Sequence, residues 1–245
     1  MRFSNKTVIV TGGAGGIGLA IASRFASEGA HIVLADISMD QLKKAGEKLK
    51  SNGAQSLWLS ECDVSNEQQV QATVKGAVDP FGSVDIIVNN AGLMVFKKLQ
   101  ETSKDDWNRI LNVDLMGAFY FTKYAFLQMK PGGCIVNISS IHALETTPMV
   151  STYAAAKAAL LSLTRSSSIE GKAKGIRVNA ILPGAIDTPM LWNNPNIKAG
   201  LEQISKDSVG KPEDIAGVVA FLASTDAAFV QGAMIEVDGG RLDRL

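Results

Sequence analysis

The chain reads as an α/β protein: a doubly wound, mostly parallel sheet of seven strands with helices on both faces. Three observations predict this. Short apolar runs alternate with longer helical patterns from end to end. The runs are continuously apolar, as strands covered on both faces are, rather than alternating with polar residues. Polar and glycine punctuation follows the runs, where an open parallel sheet collects its ligands.

Taken in order, strands are expected at residues 7–10, 31–35, 56–60, 85–89, 134–138, 176–181 and 233–237. Crossover helices are expected at 18–27, 39–51, 67–78, 104–129, 153–168 and 212–223. No internal repeat, low-complexity tract or linker interrupts the pattern, so residues 1–245 read as a single domain. The least patterned stretch, 190–210, carries Trp192-Asn193-Asn194-Pro195-Asn196 and is either a mobile lid or a long surface loop.

Composition excludes several classes. The 24 basic and 24 acidic residues balance and are scattered, which argues against a nucleic-acid or anionic-membrane partner. Two isolated cysteines, Cys62 and Cys134, and two histidines indicate neither a disulfide framework nor a metal cluster, so no metal is expected. The first residues lack an apolar signal-peptide core, and no apolar run reaches membrane-spanning length. These features predict a soluble cytoplasmic protein.

The stretch from Thr7 to Gly18 organises the rest. An apolar β-branched run stops at five glycines packed into seven residues, and Leu19-Ala20-Ile21-Ala22 then begins a helical pattern. Glycine permits positive φ and close approach of a ligand to the main chain, and the free N–H groups of the following helix favour an anion such as a pyrophosphate. Two registers fit: Gly13, Gly15 and Gly18 as G-x-G-x-x-G, or Thr11, Gly12, Gly16 and Gly18 as T-G-x-x-x-G-x-G.

The other punctuation is Asp36, Asp63-Val64, Asn89-Asn90-Ala91-Gly92, Ser139-Ser140 and Pro183-Gly184, each after a predicted strand. Asp36 comes 18 residues after Gly18, near the distance at which an acidic residue accepts from adenosine ribose hydroxyls. It is read either so or as the cap of the next helix. A carboxylate there repels a 2′-phosphate, and no basic residue stands at Gly15, Ile37 or Ser38, which predicts NAD over NADP. Tyr153 and Lys157, at i and i+4 on an alanine-rich segment, share a helix face. A phenol ionises near pH 10, so acid/base work near pH 7 needs roughly 4 kcal/mol of differential stabilisation. A neighbouring ammonium and a positive nicotinamide both have the right sign. Taken alone, such a pair is more often a solvated helix face than a catalytic dyad.

Together, Thr11-Gly12-x-x-x-Gly16-x-Gly18, Asn89-Asn90-Ala91-Gly92, Ser140 thirteen residues before Tyr153, Tyr153-x-x-x-Lys157 and Pro183-Gly184 resemble the short-chain dehydrogenase/reductase family from residue 6 to 240. The resemblance implies a Rossmann fold and hydride transfer between NAD and a secondary alcohol or ketone. It makes Tyr153 the general acid/base, with Lys157 lowering its pKa and holding the nicotinamide ribose, and Ser140 the group that binds the substrate oxygen. It selects Gly12, Gly16 and Gly18 as the main turn positions, with Ile17 among the turn's cofactor contacts, and leaves Gly13 and Gly15 as variable sites. It assigns Asp63 and Val64 to the adenine, Asn89, Ala91 and Gly92 to the cofactor edge, Pro183 and Gly184 to the same edge, and Ile186 and Thr188 to the carboxamide.

One departure stands out. Asp114 occupies the position where relatives usually carry an asparagine that holds a water in a proton relay. It is read either as a relay member or as a structural residue, with a pKa raised by its apolar surroundings. Asn112, two residues away, faces elsewhere on a straight helix. By family position the substrate candidates are Met94, His142, Leu144, Glu145, Met190 and Trp192; His142 either contacts a polar substrate or is solvated. The family spans sugar, polyol and hydroxysteroid dehydrogenases and 3-oxoacyl reductases, and a non-catalytic NAD-binding regulatory role is the alternative from another class. The resemblance also implies a homotetramer built partly on the 104–129 and 153–168 helices.

Overall fold

The computed structural model describes residues 1–200, 204 and 208–242. Seven strands, β1 (Thr7–Thr11), β2 (His31–Asp36), β3 (Leu57–Glu61), β4 (Ile86–Asn89), β5 (Cys134–Ile138), β6 (Arg177–Pro183) and β7 (Met234–Val237), form one sheet in the order β3-β2-β1-β4-β5-β6-β7. Every pairing in it is parallel, so the mostly parallel sheet expected from sequence is a fully parallel one. The order reverses direction between β1 and β4, and the crevice at that switch point lies outside the strands' carboxyl ends.

The continuous apolar runs are explained by burial on both sides. Successive side chains alternate faces. Val8 and Val10 therefore enter a core with Ile21 and Phe25 of α1 (Gly16–Ser27), Leu42 of α2 (Met39–Ser51) and Ile215 and Val219, while Ile9 enters the opposite core with Val70 and Val74 of α3 (Glu67–Phe81) and Phe121. Side-chain caps start α2, where Ser38 accepts from Gln41 N–H, and α3, where Asn66 does so from Gln69 N–H. α4 (Lys104–Leu111) opens with a capping box between Ser103 and Asp106. Hydrogen bonds from Lys97 and Ser103 hold the Asp106 carboxyl at a pKa of about 2. No side chain caps α1, whose N-cap is Gly15.

Three stretches differ most from expectation. The predicted helix over 104–129 is α4, a π-helical turn at Asn112–Met116, and α5 (Gly117–Gln128). Gly117 sits at the junction because a Cβ there would lie 2.8 Å from Val64 Cγ2. The patternless 190–210 stretch contains α7 (Pro189–Trp192) and α8 (Pro195–Lys198), each started by a proline, whose fixed φ suits a first helical position; its residues 201–203 and 205–207 lie outside those described. α6 (Ser151–Ala173) runs longer than predicted, and α9 (Pro212–Ala223) is as expected.

Phe121 is fully buried against the sheet. Phe121→Ala is expected to lower unfolding stability by about 3–5 kcal/mol in urea titrations; a loss below about 1 kcal/mol would mean the site collapses around the deletion and carries little of the packing.

Candidate active site

A cleft of about 560 Å³ runs along the carboxyl edge of the sheet. At its centre is the turn from β1 to α1. Gly12 and Gly16 have φ of +61° and +50°, the left-handed region that glycine enters without cost. Gly18 serves close packing: a Cβ there would lie 2.2 Å from the Gly12 carbonyl oxygen, and Gly18 does not itself line the cleft. Gly13 is not a variable site, since its Cβ would meet Leu34 Cδ2 and the Val10 carbonyl at 2.9 Å. Gly15 has extended backbone and open space around it.

The loop after β4 holds this turn from the other side. Thr11 Oγ1 accepts the N–H groups of Asn90 and Ala91, both at 2.9 Å, and Asn90 Nδ2 donates to the carbonyls of Thr11 at 2.9 Å and Gly12 at 3.2 Å. The expectation for Asn89 is corrected here. As the last residue of β4 it turns its side chain into the sheet, where Nδ2 donates to Asn137 Oδ1 at 2.8 Å, and Asn90, one residue on, reaches the cleft instead. The uncapped N–H end of α1, the glycine-rich turn and the carboxylate of Asp36 lie along one cleft, an arrangement suited to an anionic ligand at the turn.

Asp36 closes β2 and lines the cleft, its Oδ2 accepting the Ala14 N–H at 3.1 Å. It does not cap α2, because Ser38 does. Asp63 Oδ1 is held by the N–H and hydroxyl of Ser65 at 2.9 and 2.7 Å, and Val64 packs beside it. Ile17, Ala91, Gly92, Pro183, Gly184, Ile186 and Thr188 all line the same cleft.

At the β5 side, Ser140, Tyr153 and Lys157 share the cleft wall. All three are buried, so the Tyr-x-x-x-Lys pair is not a solvated helix face. The Lys157 Nζ stands 5.5 Å from the Tyr153 ring centre and donates to the Ile138 carbonyl at 3.1 Å. Its other neighbour is Asp114. The π turn directs this carboxylate inward, with Oδ1 accepting the Leu93 N–H at 3.0 Å and Oδ2 3.3 Å from Nζ, inside ion-pair range without an aligned hydrogen bond. Gly92 covers the pair because a Cβ there would meet Asp114 Oδ2 at 2.8 Å and Lys157 Nζ at 3.1 Å. Asp114 stands behind this wall and does not line the cleft. Asn112 is exposed, facing elsewhere as expected.

Ser139 and Ser140 divide clearly. Both line the cleft, but Ser139 Oγ donates to the Lys157 carbonyl at 2.9 Å and is used in packing α6, whereas Ser140 Oγ accepts the His142 N–H at 3.2 Å and keeps its hydroxyl hydrogen free of a protein carbonyl. Of the substrate candidates, Met94, His142 and Met190 line the cleft; Leu144, Glu145 and Trp192 do not, and the Trp192 indole donates instead to Asp187 at 2.7 Å. Arg241, which follows β7, lines the cleft without a motif to announce it.

The Tyr153 phenol is pulled in both directions. Burial holds the Tyr153 phenol above its ordinary value; Lys157 pulls it down, Asp114 pushes it up and the Ser140 hydroxyl pulls it down. Burial alone would lower the Lys157 pKa, but Asp114 and Tyr153 hold it above the usual range. Burial raises Asp114, against the pull of Lys157 and the Leu93 N–H.

Residues 12–241 match the profile of a protein family described as enoyl-(acyl carrier protein) reductase. Meso-2,3-butanediol dehydrogenase of Serratia marcescens is 38% identical over 243 residues, covering 98% of this chain and 96% of that one. The chain belongs to the short-chain dehydrogenase/reductase family. Within the family, 3beta-hydroxysteroid dehydrogenase 1 of Eggerthella lenta is 38% identical, over 96% of this chain and 93% of its own. The crystal structure of levodione reductase superposes with a TM-score of 0.93 at 33% identity, covering 100% of both chains. Relatives of this kind are dehydrogenases and reductases, and the chain is an oxidoreductase of the same type.

Gly18→Ala is expected to abolish dinucleotide binding in calorimetric titration and to lower the melting temperature, because backbone must move. Gly15→Ala, at an unstrained position, should bind normally and gain about 0.4–1 kcal/mol of stability. Equal behaviour of the two variants would contradict the close-packing role of Gly18.

Proposed function

We propose that the chain is an NAD-dependent dehydrogenase of secondary alcohols that also reduces the corresponding ketones, residues 1–245 working as one unit. The observation that carries this reading is a single cleft lined near β2 by Asp36 and near β5 by Ser140, Tyr153 and Lys157, with the glycine turn between them.

When bound, NAD supplies the acceptor for the carbinol hydrogen and its electron pair. The chain does the rest. Ser140 donates its hydroxyl hydrogen to the substrate oxygen, and Tyr153, as phenolate, accepts the alcohol proton; in reduction the same phenol returns it to the carbonyl oxygen. Lys157, buried beside the ring, favours the phenolate by its charge, and the family resemblance supports its holding the nicotinamide ribose. Asp36 supports NAD over NADP, since its carboxylate repels a 2′-phosphate, while the Ala14 N–H keeps it directed at the turn.

The named relatives are a meso-2,3-butanediol dehydrogenase and a 3beta-hydroxysteroid dehydrogenase and one neighbouring structure is levodione reductase, which supports secondary alcohols as the substrate class. Met94 and Met190 supply apolar walls and His142 a polar one. The family resemblance also supports a cytoplasmic homotetramer, and exposed Leu127 on α5 and Ile169 on α6 offer apolar surface for it. Among the described residues no helix is long and apolar enough to cross a membrane.

Screening meso-2,3-butanediol, a 3β-hydroxysteroid and cyclohexanol for NADH production should find at least one substrate. Tyr153→Phe should lower its turnover by roughly 10²–10⁴-fold while NAD affinity stays within a few fold. Retained turnover would show that another group is the acid/base, and tighter binding of NADP than NAD would overturn the cofactor assignment.

A further inference from the structure

The acid/base reading of Tyr153 leaves one group unused. Asp114 is buried and touches neither the cleft nor any substrate position, yet it contacts the one ammonium that reading depends on. A lone buried ammonium would present Tyr153 with a full positive charge. An ammonium whose carboxylate partner lies 3.3 Å away presents a weaker field, part of its charge being offset. The geometry points to Asp114 as a partly charge-cancelling positioning residue, which offsets the pull of the Lys157 charge on Tyr153 and adds to burial in keeping the phenol protonated until a cationic nicotinamide enters the cleft. Oxidation, which starts from phenolate, is thereby displaced toward alkaline pH, and reduction, which starts from phenol, is favoured near neutrality.

The pairing is built, not incidental. A five-residue π turn inserts Asp114 between α4 and α5, Leu93 N–H fixes Oδ1, and residue 92 must be glycine to cover the pair. Lys157 is held in turn by the Ile138 carbonyl at the end of β5. The other polar groups facing Tyr153 are few. His142, from the turn after β5, lies edge-on with ring centres 5.9 Å apart and its Nδ1 3.1 Å from Thr146 Oγ1; Ser140 is uncharged; Arg241 lines the cleft from beyond β7. Asp36 and Asp63 stand at the ends of β2 and β3, on the far side of β1. The direction in which Asp114 moves the phenol agrees with this geometry.

Asp114→Asn removes the negative charge and keeps the shape and an acceptor for Leu93 N–H. The phenolate ultraviolet band of Tyr153, isolated by subtracting the matching Tyr153→Phe protein, should then appear at a pH lower by about one unit or more, equivalent to at least about tenfold more phenolate at a given pH. The acidic limb of kcat/KM for alcohol oxidation should move the same way. An unmoved or upward-shifted phenolate titration would overturn the inference, including the case in which kcat falls uniformly at every pH, as a structural or water-relay role predicts. If Asp114→Asn does not fold, Asp114→Ser is read by the same titration. The absorbance needs no turnover, so a shifted band in a protein that oxidises no alcohol would sustain the charge-cancelling role while refuting the proposed activity.

Discussion

Keeping one ammonium buried is the constraint on which the site rests. A charge taken out of water must be paired and hydrogen-bonded, and Lys157 is held by three distant parts of the chain: the Asp114 carboxylate from the π turn, the Ile138 carbonyl from the end of β5, and its own position on α6. Satisfying it fixes much else. Gly92 has to lack a side chain, Ser139 has to tie α6 to the end of β5, and the helix after Ser103 has to break its regular period so that Asp114 arrives at the right depth. π turns concentrate at functional sites because they re-aim a side chain at small cost to the helix around them.

The parallel sheet supplies the second constraint. It brings the ends of β1, β2, β4, β5 and β6 to one edge, so residues as far apart as Asp36 and Tyr153 face one cleft. The Thr11–Asn90 contacts fasten the glycine turn to the loop after β4 across the switch point. Two nearest-neighbour strands thus hold the turn rigid without placing a side chain in the space a pyrophosphate would occupy.

Much of this was legible in the sequence because it follows from local chemistry. Continuous apolar runs mark strands buried on two faces, as Val8, Ile9 and Val10 are, and glycine clusters mark turns of positive φ, as Gly12 and Gly16 are. The misses share a cause. Whether Asn89 or Asn90 reaches the cleft turns on where a strand stops, which spacing leaves open by one residue. Gly13 looks variable until Leu34, on the next strand, is seen against it. The π turn needs tertiary contacts with Val64 and Lys157 that no window of 104–129 contains. The forces on the Tyr153 phenol are legible only in part for the same reason: the ammonium four residues away is visible in sequence, but burial and the carboxylate of Asp114 are not.

What the whole arrangement claims is that the carbinol hydrogen of a secondary alcohol passes directly to a dinucleotide held on the glycine turn. The most direct test is to oxidise an alcohol deuterated at the carbinol carbon and examine the cofactor by mass spectrometry and NMR. One deuterium is expected at C4 of the reduced nicotinamide, delivered to a single face. Reduced cofactor without label, or label lost to solvent, would contradict it.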